Sequence, residues 1–104
     1  MTKSLAELMD EDRRLVVLRI LQEAPDYSLN ESLLRKGLEA VRLGIVGKDQ
    51  MRSMLTWLAD NGLVRVEKIP VGETPELWVA TVTALGAEVA RGRIWPGVAR
   101  PSPR

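Results

Sequence analysis

The side chains best suited to recognition chemistry lie between Lys48 and Asp60, in the run KDQMRSMLTWLAD. Gln50 can offer its amide to adenine, and Arg52 can fork onto guanine or grip a phosphate. Ser53 and Thr56 carry hydroxyls suited to phosphate oxygens, Lys48 stands at the start of the run, and Lys68 adds a cation further along. Covalent chemistry is poorly supplied. The chain has no histidine and no cysteine, which removes Cys/His zinc sites, thiol nucleophiles and His-based triads. Asp10, Glu11 and Asp12 cluster, but adjacent acids on a helix point to different faces, and no base or nucleophile converges on them. Lys48 follows Gly47 yet lacks the upstream glycine and the following Ser/Thr of a phosphate-binding loop. No enzyme, catalytic residue, metal or cofactor is therefore expected.

These residues need a helix to carry them, and the pattern supplies one. Met51, Leu55 and Leu58 recur at helical spacing, with Met54 beside them. Gly47 is a usable N-cap and Asn61-Gly62 a strong stop. Opposite the apolar face lie Asp49, Ser53, Thr56 and Asp60. Arg52 falls on one flank, Gln50 and Trp57 on the other. An earlier helix, to about Leu43, carries Leu33, Leu34, Leu38 and Val41 inward and turns Arg35, Lys36, Glu39 and Arg42 to water. Ser28 to Glu31 forms a capping box for it, with Asn30 a competing cap. Gly37 suggests close approach of another helix, and Gly44 suits a left-handed cap. Between the two helices, Ile45 and Val46 supply the apolar plug of a tight turn. Asn30 to Gly62 thus reads as a helix-turn-helix.

Upstream, Ser4 and Glu7 form a capping box that opens a helix from about Ser4 to Glu23, with a break or kink allowed near Asp10. Its second half, LVVLRIL, is an apolar sleeve broken only by Arg19. A sleeve belongs at the centre of a core or under a second subunit. Pro25 ends the helix, and Tyr27-Ser28-Leu29 can add a short strand at a sheet edge. Downstream, Leu63–Ile69 and Leu77–Val82 form a hairpin, with Pro70 and Pro75 holding its loop out of the ladder. Val66, Trp78, Ala80 and Val82 face inward. Thr83 caps a last helix to about Arg91, with Leu85, Val89 and Ala90 inward. After Gly92 the tail has three prolines and no acid, so it is extended unless it docks. The expected organisation is one domain over 1–92 and an extended basic tail over 93–104.

The run Leu58-Ala-Asp-Asn-Gly-Leu-Val64, and Val82-Thr83 with Gly86, resemble winged helix-turn-helix regulators of the ArsR and MarR kind over about residues 13 to 92. The implied fold is α+β: three helices, a two-stranded hairpin wing, a C-terminal helix and the tail. A narrower resemblance spans nearly the whole chain. Glu11-Asp-Arg-Arg-Leu15, Leu29-Asn-Glu-Ser-Leu33, Asp49-Gln50, Pro96-Gly-Val98 and Arg100-Pro101 are similar to small winged-helix proteins of Mu-like prophages. It implies a phage-derived protein.

Two functions follow. The first is a DNA-binding transcriptional regulator or accessory factor, reading duplex DNA with Lys48, Gln50, Arg52, Ser53, Thr56 and Lys68, and aided by the tail arginines Arg91, Arg93, Arg100 and Arg104. Charge weighs against it. The net charge is only +1, Asp49 and Asp60 share the reading face, Glu73 and Glu76 flank the wing, and affinity for DNA comes largely from neutralised phosphates. The alternative is a protein-interaction module that does not bind DNA specifically. Its contacts would be Leu8, Val17 and Arg19 on the first helix and Trp95 in the tail. A homodimer through the first helix fits either reading. No apolar run approaches the ~18 residues of a membrane span, no signal-peptide core is visible at the start, and a cytoplasmic setting is expected.

Overall fold

The structure is a computed structural model that describes residues 2–101, apart from the side chains of Thr74 and Pro75. The Ser4 hydroxyl accepts the Glu7 N–H at 3.1 Å and starts α1 (Leu5–Glu23). The helix runs through the acidic segment without a break. Asp10 is paired with Arg13 at 3.2 Å and Glu11 with Lys3 at 2.7 Å, so the acids there are partly compensated. Pro25 ends it, and the turn that follows holds Asp26 and Tyr27 at φ of 55° and 58°.

Next come β1 (Ser28–Asn30), α2 (Glu31–Ala40), α3 (Lys48–Asp60), β2 (Val64–Val71), β3 (Thr74–Val82) and α4 (Ala84–Ala90). The sheet is antiparallel in the order β1-β3-β2, with Leu29 opposite Ala80 and Val66 opposite Ala80 on the other side. The short edge strand is therefore real. It takes Ser28 out of helix capping, and Asn30 caps α2 by accepting the Leu33 N–H at 2.9 Å.

α1 is the centre of the molecule. Leu15, Val17, Leu18 and Leu21 are buried against α2, α4 and the sheet. The sleeve thus needs no second subunit, and Val17, with no exposed surface, cannot be a partner contact. Leu34 and Leu38 of α2, Val46 of the turn, Met51, Leu55 and Leu58 of α3, then Leu63, Ala80 and Val89, complete the core.

Several expected inward residues lie outside it. Leu33 is 46% exposed and Val41 52%, because α2 ends at Ala40 and only the Leu34–Leu38 direction faces α1. The turn begins before Gly44. Arg42, at φ 64°, is left-handed at the helix end, Leu43 N–H returns to Leu38 O at 3.0 Å, and Gly44 follows with a positive φ of 92°, as its position suggested. Of the two candidate plugs, Val46 is buried and Ile45 is 80% exposed. The hairpin strands also run past both prolines. Pro70 sits at a register irregularity between Ile69 and Val71, where an edge strand tolerates a missing N–H.

Thr83 locks α4 to the hairpin. Its hydroxyl accepts the Gly86 N–H at 3.0 Å and donates to Gly62 O at 2.7 Å. A Cβ at Gly86 would lie 2.0 Å from Leu63 O, so the helix packs there only because the side chain is absent. The described part of the tail, 93–101, has no helix or strand, yet it docks. Val98 is buried, Ala99 N–H bonds Glu11 O at 3.1 Å, and the Trp95 indole N–H bonds Asn61 Oδ1 at 3.1 Å.

Gly86→Ala should lower stability by roughly 3 kcal/mol or more, since backbone must move to admit the methyl. Truncation after Gly92 removes Val98 from the core together with the tail hydrogen bonds, and should cost roughly 3 kcal/mol. Thermal and urea denaturation followed by circular dichroism measure both. A melting temperature unchanged by truncation would show that the docked tail contributes nothing to stability.

Candidate nucleic-acid interface

α3 presents the faces its periodicity requires. Asp49, Ser53, Thr56 and Asp60 are exposed on the side opposite Met51, Leu55 and Leu58, and Lys48 and Gln50 are exposed in the first turn. Gly47 supplies no side-chain cap for the N–H groups at the helix start. The Thr56 hydroxyl bonds Arg52 O at 2.8 Å, within its own helix.

Arg52, expected to point toward a base, is engaged within the fold. Its guanidinium clamps the Glu31 carboxylate in a fork, Nε to Oε1 and Nη2 to Oε2, both at 2.8 Å. Nη2 also donates to Glu76 O at 2.8 Å. Glu31, only 2% exposed, accepts the Trp78 backbone N–H at 2.8 Å as well. One buried carboxylate thereby ties α2, α3 and β3 together. The Arg52 side chain keeps a fifth of its surface, but a buried partner holds it in place. The fork from Arg52 holds the Glu31 carboxyl below its ordinary value of 4.5, against the opposing effect of burial. Lys68 joins the same cluster: its Nζ lies 4.7 Å from the Trp78 ring centroid, and the Arg52 Cζ lies 4.8 Å from it.

The other flank of α3 faces α1. Gln50, Ser53 and Trp57 line a groove of about 280 Å³ with Asp10, Arg14 and Met54. Arg14 stacks on Trp57 at 4.1 Å and donates to Gly97 O at 2.8 Å. Trp95, expected to anchor a partner, is half-buried against its own chain. Leu8 and Arg19 are exposed on α1. Among the tail arginines, Arg91, Arg93 and Arg100 are exposed, and Arg104 lies outside the described residues.

The fold brings Lys48 of α3 together with cations of α2. Ser32, Arg35 and Lys48 line a cleft of about 360 Å³ between the starts of α2 and α3 and the outer hairpin, where Val71 and Leu77 form its far wall. Lys36 continues that surface beside Arg35 along α2. Arg35 is oriented by its bond to Val46 O at 2.8 Å. Two basic neighbours on the wet side of the first helix of a helix-turn-helix were the available signal, because that helix crosses the DNA backbone. Glu39, Asp49 and Glu76 temper the charge. Among the described residues no metal-binding cluster forms, and no helix is long and apolar enough to cross a membrane.

Over 99 residues the chain is 39% identical to the Escherichia phage Mu protein gp26, covering 94% of this chain and 96% of that one. The chain belongs to the gp26 family. A Haemophilus influenzae relative is 42% identical over 69 residues, which is 66% of each chain. No family model matches. Among solved structures, the candidate transcriptional regulator TA0346 from Thermoplasma acidophilum superposes with a TM-score of 0.68 at 15% identity, over 88% of this chain and 80% of that one. The circadian clock associated protein Pex from anabaena gives 0.52, also at 15% identity, over 77% and 71%. At such identity these likenesses speak to the fold, which is winged-helix-like, α+β, with four helices and a three-stranded antiparallel sheet.

In this gp26-family chain the Glu31 carboxyl has a depressed pKa, so its stabilisation is present above the unfolded value and lost as pH falls through the folded one. Stability should hold from neutral pH to about pH 5 and decline below the ordinary value of 4.5. Glu31→Ala should cost about 3 kcal/mol at neutral pH by stranding Arg52. Urea melts across a pH series check both. A Glu31→Ala variant with the same acid decline as wild type would place the sensitive group elsewhere.

Proposed function

We propose that this winged-helix module binds duplex DNA chiefly through backbone phosphates, as a regulator or accessory factor of a phage. The observation that carries the reading is the surface shared by the starts of α2 and α3. It gathers Arg35, Lys36 and Lys48 beside helix N–H groups that lack a side-chain cap. Such groups and cations suit phosphate oxygens. Lys68, exposed on the hairpin, extends the surface. Gln50 and Ser53, at the edge of α3, are the residues left to meet bases. With Arg52 held by Glu31, base readout is thin and sequence preference is modest. A structural neighbour described as a transcriptional regulator agrees with this reading at the level of fold.

A second reading is favoured by one specific observation. The outward face of α3 carries Asp49 and Asp60, where a DNA-reading helix needs neutral or basic side chains. That face suits a basic protein surface better than a phosphate backbone.

Fluorescence anisotropy with random-sequence duplex DNA across a salt series separates the two. Four phosphate contacts should give a slope of log K on log salt of about −3 to −4. Lys36→Glu combined with Lys48→Glu should weaken binding at least tenfold and reduce the slope by about 2. Both residues are exposed, so folding should be unaffected. No binding at low salt with micromolar protein would reject the DNA reading and leave the acidic face of α3 as the interaction surface.

A further inference from the structure

One face of α1 has no cover. Leu5, 73% exposed, and Leu8, 46% exposed, lie on it, followed by the exposed Asp12, Arg19 and Glu23. Their spacings of three, four and seven residues keep them on one side of the helix. Asp12 and Arg19 form no ion pair among the described residues. At the far end of α1 the surface is concave. Gln22, Tyr27, Ala84, Ala87 and Arg91 line a groove of about 260 Å³ floored by alanine methyls. The preceding turn holds both Asp26 and Tyr27 in the left-handed region, which disfavours residues other than glycine, and it leaves Tyr27 58% exposed.

We propose that a second copy of this chain covers that face, with the two α1 helices antiparallel about a two-fold axis near residues 15 and 16. The register follows from the charges. Such an axis sets residue i opposite residue 31 − i, so Asp12 of each copy meets Arg19 of the other, twice per dimer. The same register carries Leu5 and Leu8 of each copy to the other end of α1, beside the groove under Tyr27. One geometry thus pairs both charges and covers the exposed leucines. Arg91 at the groove and the acidic first half of α1 are also brought together with opposite sign. The interface is isologous, and its occupant is fixed by self-complementarity. It stands apart from the DNA reading, because it is measured without nucleic acid.

Sedimentation equilibrium on the full chain tests it. Wild type should be a dimer at micromolar concentration. Asp12→Arg alone, or Arg19→Asp alone, replaces two attractions by two repulsions and should raise Kd at least roughly tenfold. The two reversals combined should restore wild-type association. Circular dichroism melts confirm folding, and these exposed positions should leave it intact. A wild type that stays monomeric into the submillimolar range overturns the proposal. So does a double reversal that associates no better than either single one.

The absence of native cysteines offers a second readout. Leu8→Cys with Ala87→Cys should oxidise to a covalent dimer. Within one copy the two positions lie near opposite ends of α1, roughly 20 Å apart, too far for an internal disulfide. Thiols that stay free under oxidant overturn the register.

Discussion

A buried carboxylate governs how this small molecule is put together. Glu31 begins α2, and it has nearly no surface of its own. A lone charge there would be intolerable, so the structure brings Arg52 from α3 and a backbone N–H from β3 to meet it. That requirement sets the angle between the two helices of the helix-turn-helix. It also fixes where the hairpin lies against them. Trp78 packs beneath the cluster, with cations over its ring. Apolar packing alone would tolerate small rotations of α3, whereas a two-point fork defines a direction as well as a distance.

The clamp redistributes the chemistry available to the surface. The arginine best placed to read a base becomes part of the frame, and the remaining outward face of α3 is acidic or neutral. Positive charge gathers instead where α2 and the start of α3 come together. The gp26-family chain thereby keeps the winged-helix frame while its exposed cations Lys36 and Lys48 stand at α2 and the start of α3. A net charge of +1 conceals this arrangement, since what matters for a polyanion is which cations converge.

The tail and α1 illustrate a related point. The tail closes over the α1–α3 side through Trp95, Val98 and the Arg14 contact with Gly97, and so adds apolar cover that a chain of this size needs. α1 meets its neighbours on several sides and leaves one face to water. On that face the opposite charges of Asp12 and Arg19 stand seven residues apart, a spacing that reads the same from either end when two helices run antiparallel.

Much of this was legible from the chain alone. The period of Met51, Leu55 and Leu58, the caps at Ser4 and Thr83, the stop at Asn61-Gly62 and the alternation through Val66 and Ala80 are local signals. They determined the elements, their order and the winged-helix frame, because backbone geometry and the burial of an apolar stripe act over a few residues. Glycine at position 86 was equally readable as part of that pattern. What the tertiary structure alone decided was which polar groups are used inside. Glu31 looked like the acid of a capping box with Ser28, and Arg52 like a free reader. Only their meeting, across twenty residues of chain and beside Trp78, shows that each exists to neutralise the other. In the same way Leu33 and Val41 share the periodicity of a core stripe, yet a short α2 has room for only Leu34 and Leu38 against α1. Composition gave the tail no core of its own, but Val98 and Trp95 find one built by other elements. Periodicity says which way a side chain points. It does not say what stands there to receive it, and for a buried charge that partner decides whether the residue holds the fold or meets the ligand.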